Sequence, residues 1–159
     1  MALREWLPLA KGGHAEAQLN VAFIYNQGLG VPVDHVVAAQ WYLKAAEQGL
    51  AEAQAQLAVV YSQGLGVARN YPEAFKWSAK AAEQGHPQGQ FNLGAFYANG
   101  LGVPRDYTKA AFWTRKAAEQ GDAASQFNLA VLYAEGLGVP RDDVEALMWL
   151  LLAPLQFKD

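Results

Sequence analysis

Three histidines (His14, His35 and His86), three serines (Ser62, Ser78 and Ser125) and two carboxylates in register (Glu16 and Glu52) are the side chains best placed to do chemistry. None of them forms a constellation. His14 and His86 hold one position two units apart in the repeat set out below. With roughly 9–10 Å between packed helices, that places them about 30 Å or more apart, too far to share a metal ion. No serine sits in a Gly-x-Ser-x-Gly elbow or before an x-x-Lys, so no activated nucleophile is in view. Glu16 and Glu52 have no basic residue or apolar stretch beside them in sequence to drive their pKa values apart, and read as a solvated edge. The chain has no cysteine, so disulfides and thiolate metal sites are excluded. No cofactor and no catalytic site are expected.

The glycines and aromatics invite chemistry of another kind. Gly28-Leu-Gly-Val and its copies look like a phosphate loop, but they lack the Lys-Ser/Thr that follows one and no strand precedes them. Each glycine is better read as supplying positive φ in a tight connector. The tryptophans suggest carbohydrate or base stacking, yet a large aromatic at one helical position reads more simply as a wedge between hairpins.

These residues are held by a repeat. Gly28, Gly64, Gly100 and Gly136 step by 36 residues, and so do Trp41, Trp77, Trp113 and Trp149, and the Tyr25 and Gln18 series. Such self-similarity marks an array of one supersecondary unit. Cut at the recurring glycines, the units are 13–48, 49–84, 85–120 and 121–156, preceded by a partial unit 1–12 and followed by a tail 157–159. In the third unit, Pro87 to Asn99 carries apolar residues at spacings of three and four and predicts helix A. Gly100-Leu-Gly-Val-Pro stops it, and Asp106 caps a helix B over Tyr107 to Gln120. Asn70–Glu73 and Asp142–Glu145 read as capping boxes. A lone hairpin leaves an apolar face open, so the units must stack. Gln18 and its copies are candidates for bonding between adjacent A helices.

The string Gln-Phe-Asn-Leu-Gly-Ala-Phe-Tyr-Ala-Asn-Gly-Leu-Gly-Val-Pro-Arg-Asp (90–106) and the segment Trp-x-x-Lys-Ala-Ala-Glu-Gln-Gly (113–121) resemble the Sel-one-like repeat family, a relative of the tetratricopeptide repeats. The resemblance covers nearly the whole chain. It implies an all-α, right-handed solenoid of antiparallel helix pairs with the A helices on the inner face, and a role as an interaction scaffold, often bacterial. Some cysteine-rich relatives are β-lactamase-like, but the missing Ser-x-x-Lys and cysteines argue against carrying that over.

The resemblance also implies which positions line the groove: 2, 5, 6, 9, 12 and 13 of each A helix. The first unit then offers Glu16, Leu19, Asn20, Phe23, Asn26 and Gln27, the second Glu52, Ala55, Gln56, Val59, Ser62 and Gln63. The third offers Gln88, Phe91, Asn92, Ala95, Ala98 and Asn99, the fourth Ala124, Phe127, Asn128, Val131, Ala134 and Glu135. All twelve Lys and Arg residues lie outside the four A segments. A groove without cations disfavours phosphopeptides, nucleic acid and the Lys/Arg capture of a C-terminal carboxylate. The amides Asn20, Gln56, Asn92 and Asn128 can pair with a peptide backbone in either direction, and the phenylalanines supply anchors. The expected partner is a protein or extended peptide, neutral or basic, with hydrophobic anchors. The alternative is that the amides only link neighbouring A helices.

The net charge of −3 implies neither nucleic acid nor an anionic membrane. No apolar run is long enough to span a bilayer, and the N-terminus lacks the h-region of a signal peptide. As written the chain reads as soluble and cytoplasmic, and as periplasmic or secreted if a leader preceded it. Leu3, Trp6, Leu7 and Leu9 read as a degenerate B helix capping the first unit. At the other end, Leu150, Leu151, Leu152 and Leu155 need a cover, by folding back on the fourth A helix, through a homodimer, or from further repeats in a longer chain. The function expected is a non-catalytic binding scaffold. Its rivals are an accessory subunit of an envelope or signalling enzyme complex, and a structural oligomer assembling through the C-terminal helix.

Overall fold

Alanine-rich segments punctuated by glycine and Asx residues fold where their punctuation places them. The structure, a computed structural model, describes residues 2–153. Among these residues there are nine α-helices and no strand: α1 (Ala2–Lys11), α2 (Ala15–Gln27), α3 (His35–Glu47), α4 (Ala51–Gln63), α5 (Tyr71–Glu83), α6 (Pro87–Asn99), α7 (Tyr107–Glu119), α8 (Ala123–Glu135) and α9 (Asp143–Leu152). The even-numbered helices are the A series; α3, α5, α7 and α9 are the B series. Leu155 and the tail 157–159 lie outside the described residues.

Each A helix ends on a left-handed glycine, Gly28, Gly64, Gly100 or Gly136, whose N–H returns to the helix. Each B helix starts on an Asx cap. Asp34 accepts from Val37 N–H, Asn70 from Glu73, Asp106 from Lys109, and Asp142 from both Val144 and Glu145. Such caps stabilise a helix by about 1 kcal/mol each. The expected boxes are half-formed: the Glu73 carboxylate turns to Lys76 at 3.8 Å.

The helices pack in chain order, each against the one before and the one after, and α4 also touches α6 directly. Alanines fill the seams. Ala45, Ala53, Ala58, Ala74, Ala81, Ala110 and Ala117 are fully buried, and larger groups such as Tyr42, Leu57 and Leu129 plug the remaining space. The second glycine of the last three connectors locks one repeat to the previous one. A Cβ on Gly66 would land on the backbone of His35, on Gly102 on that of Tyr71, and on Gly138 on that of Tyr107. Only glycine fits there.

The Gln18 series does not join neighbouring A helices, as expected from sequence. Instead Gln18, Gln54 and Gln126 each donate to a carbonyl near the end of the preceding helix, Ala10, Ala46 and Ala118, at 3.2 Å. Gln48, Gln84 and Gln120 then donate to the Oε1 of Gln18, Gln54 and Gln90 at 2.7–2.8 Å, and to the carbonyls of Gly13, Gly49 and Gly85. The amides bridge A to B because the buried gap opens at the helix ends. Leu3, Trp6 and Leu7 pack with Ala10, Ala17 and Val21 as the cap anticipated. Leu9 does not: it is exposed, on the outer side of α1.

Candidate functional site

The A helices offer a surface built from one register of each. The thirteen residues of α2, α4, α6 and α8 carry no Lys or Arg. Among the described residues the basic ones lie on α1, the B helices and the connectors, where several sit over aromatic rings: Lys44 over Trp41 at 4.4 Å, Lys80 over Trp77 at 4.9 Å, Lys116 over Phe112 at 5.0 Å. Each such contact contributes about 0.5–1 kcal/mol at an exposed site. Two more sit over rings of the A helices, Lys109 over Tyr97 at 5.5 Å and Arg115 over Tyr133 at 5.4 Å.

On that surface, Glu16, Phe23, Gln63, Asn99, Phe127, Asn128 and Glu135 are exposed. Leu19, Asn20, Asn26, Glu52, Gln56, Val59, Gln88, Phe91, Asn92, Ala95 and Val131 are half-buried. Ala55 is a correction: its side chain is fully buried in the seam and presents nothing. Alanine at that position is short enough to be covered by its neighbours, where Phe91 and Phe127 reach out. The structure gathers Ala95, Asn99, Phe127, Asn128 and Val131 around one cavity between α6 and α8.

The amides spend part of their capacity locally. Gln56 donates to Glu52 at 3.1 Å and Gln88 to Asn92 at 2.8 Å, each within one helix. Asn26 pairs with His35 at 3.0 Å, and Asn99 donates back to the Ala95 carbonyl. Among the described residues Asn92 Nδ2 is buried without a partner.

Glu52 and His86 depart from the sequence reading. Far from a solvated edge, Glu52 Oε2 meets His86 Nε2 at 2.6 Å, joining the start of α4 to the start of α6. His86 is the N-cap of α6, and its Nδ1 accepts from Gly89 N–H at 3.4 Å. Burial raises the Glu52 pKa, but the hydrogen bonds from Gln56 and His86 and the coulombic pull of His86 outweigh it and hold the carboxyl below its ordinary range. Burial, with the Glu52 charge adding to it, pushes the Tyr42 phenol up to about 12. Neither signal was readable from a chain in which the two partners stand 34 residues apart. Only the stacking repeat of 36 hints at it. Among the described residues no cluster of His, Asp and Glu could hold a metal ion, and no helix is long and apolar enough to cross a membrane.

At the C-terminal end, Leu150, Leu151 and Leu152 are 40%, 63% and 44% exposed, with Val144, Leu147 and Met148 beside them. They do not fold back on α8.

The Sel1 repeat matches residues 15–50, 51–86, 87–122 and 123–153, nearly the whole described chain, each match starting two residues after the glycine cut. The chain belongs to the Sel1 repeat family. No curated protein matches it significantly. Among solved structures it resembles a protective antigen of uropathogenic Escherichia coli strains displaying an SLR fold, at 40% identity and a TM-score of 0.92, over 97% of this chain and 33% of that one. A Sel1 repeat protein from Oxalobacter formigenes aligns at 36% identity and a TM-score of 0.89, over 95% of this chain and 60% of that one. Helicobacter pylori cysteine rich protein B is similar at 28% identity and a TM-score of 0.61, over 80% of this chain and 90% of that one. The chain thus spans a third and three-fifths of the first two. Its all-α repeat solenoid is that of Sel1 proteins, which are generally interaction scaffolds rather than catalysts.

Proposed function

We propose that this Sel1 chain is a non-catalytic scaffold that holds an extended peptide or protein segment, neutral or basic and with hydrophobic anchors, along its A-helix face. The observation that carries this reading is the segregation of charge: carboxylates Glu16, Glu52 and Glu135 on a face whose helices contain no Lys or Arg. Anionic partners would meet these carboxylates with no Lys or Arg on the A helices to offset the repulsion. The direct approach of α4 to α6 supports an inner layer made of A helices. Phe127 and Phe23, 54% and 49% exposed, are the rings available as anchors, with Phe91 between them.

The test is selection of random peptides on the purified domain, followed by titration against a Phe91→Ala, Asn92→Ala, Phe127→Ala triple variant. Selected peptides should be poor in Asp and Glu, and the variant should lose at least tenfold in affinity with its helicity intact. Unchanged binding refutes the face.

A second reading rests on the bare leucines of α9. A homodimer through Val144, Leu147 and Leu151 would cover them, as large apolar patches call for. Light scattering across a concentration series decides it, and a strict monomer removes it.

A further inference from the structure

The repeat sets the same six positions at every junction between units, and at the junction of α6 with α8 they line a cavity. Between α6 and α8 a cavity of about 350 Å³ opens, floored by Gly94 and Thr114 and rimmed by Ala95, Ala98, Phe127 and Asn128. Two repeats earlier the corresponding residues are Ala22, Tyr42, Phe23, Asn26, Ala55 and Gln56. There the space is taken. Tyr42 is 1% exposed and fills the position of Thr114, and Asn26 is tied to His35 at 3.0 Å across the place where Ala98 leaves a gap. At the middle junction Val59 and Ser62 stand where Ala95 and Ala98 do, and Ser62 turns back to the Val59 carbonyl at 3.0 Å. Phe91 is half-buried there, whereas its counterpart Phe127 stands 54% exposed beside the cavity. Gly94 lets α7 close the floor, since a Cβ on it would sit 2.6 Å from Thr114 Oγ1. The rim sets this junction apart: Ala95 and Ala98 stand where the other two carry Phe23 with Asn26 and Val59 with Ser62.

We propose that this cavity is the specificity pocket of the chain and takes one aromatic side chain, tyrosine or tryptophan, from a bound extended peptide. The proposal rests on the A-face reading above and names its anchor. A volume of about 350 Å³ lies at the low end of the ~300–1,000 Å³ range of ligand pockets, room for one large side chain rather than a cofactor. The exposed Phe127 ring offers an edge or offset partner to an aromatic guest. The Thr114 hydroxyl at the floor and the Asn99 and Asn128 amides suit the polar tip of tyrosine or tryptophan better than an aliphatic chain. The residues flanking the guest are neutral or basic, because Glu135 shares α8 with Phe127 and Asn128 and no helix of this face carries a cation. The first two junctions contact peptide backbone; the third selects the residue.

The experiment uses N-acetyl-tyrosinamide, N-acetyl-tryptophanamide and N-acetyl-leucinamide as probes against the whole chain, with backbone amide signals followed by NMR. The two aromatic amides should shift Gly94, Asn99 and Val131 saturably, with affinity on the order of millimolar as befits so small a fragment. The leucine amide should bind at least fivefold more weakly. Ala98→Leu and, separately, Ala95→Phe (which copies Phe23) should abolish the shifts with unchanged helicity. Ser62→Leu, the same rim position one repeat back, should not. Shifts that are absent, scattered over other helices, or retained in both filled variants overturn the pocket. Peptides from random selection separate this from the parent reading. If they weaken with Phe91→Ala and Asn92→Ala but not with Ala98→Leu, the face stands and the pocket fails. If the fragments bind at Gly94 while the peptides ignore Phe91 and Asn92, the pocket stands and the extended face fails.

Discussion

The first and the last described helix, α1 and α9, both stand in the B position of the repeat and pack differently. At the N-terminal end α1 lies on α2 as a B helix should, burying Leu3, Trp6 and Leu7 and receiving the Gln18 amide at Ala10. Yet α1 does not reach the first connector, and Gly30 has open space around it. At the C-terminal end the reverse holds. Gly138 is seated on the backbone of α7, while the outer side of α9 is bare and the Gln126 Oε1, buried, has no partner among the described residues. A B helix thus does two jobs, covering the next A helix and seating the next connector. Each end of the stack does only one of them.

The largest expected effect comes from the seated connectors. Gly102→Ala and Gly138→Ala should each cost about 4 kcal/mol or more, since the left-handed backbone penalty is joined by overpacking against fixed backbone. Gly30→Ala, with φ of 76° but free space, should cost only about 1–2 kcal/mol. Urea unfolding of the three variants measures the gap, and equal losses would erase the distinction between seated and free loops.

Next comes the glutamine relay. Gln54→Leu should destabilise by about 2 kcal/mol, because it removes two hydrogen bonds, Gln54 to the Ala46 carbonyl and Gln84 to Gln54. Gln126→Leu removes, among the described residues, only the bond to the Ala118 carbonyl and should cost about 1 kcal/mol. Gln156 holds the next place in the donor series and lies outside the described residues. Equal losses would mean that it reaches Gln126 and that the C-terminal end is closed after all.

A smaller effect lies in the middle, where Glu52 and His86 tie α4 to α6. The Glu52 pKa is lowered on folding, so its contribution is present above the ordinary carboxylate value of 4.5 and is lost as pH falls through the lower folded one. Glu52 is partly exposed, and solvent screening keeps the loss under about 1 kcal/mol. Melting curves between pH 6 and pH 3 should show Glu52→Gln flattening that part of the acid dependence; identical profiles would leave the pair without energetic weight.

The smallest effect tests the bare end. Leu147→Lys with Leu151→Lys should change unfolding free energy by less than about 0.5 kcal/mol, both residues being more than half exposed. Any concentration-dependent association should vanish with it, as light scattering would record.

Helix boundaries were readable because glycine and Asx residues act locally: Pro87–Asn99 was drawn from spacing alone and is α6. The absence of cations from the A helices was likewise a matter of counting. What escaped was everything that depends on which unit neighbours which. The Gln18 series was assigned to the wrong partner, because an amide on one turn does not announce whether it faces the A or the B helix beside it. Ala55 was placed on the surface for the same reason, and Glu52 was separated from His86. The hollow behind Ala98 was invisible, since an alanine that makes a pocket and an alanine that fills a seam are the same letter.

By itself the sequence determined the period, the helix and loop grammar, the all-α class and the side of each hairpin that would be free of positive charge. These follow from residue type within one turn or one connector, where propensity and capping act without distant help. Only the stacking decided where the buried amides connect, which junction stays open and which end is uncovered. Those outcomes are sums of side-chain volumes from three helices at once, and a difference as small as Val59 against Ala95 bears on them.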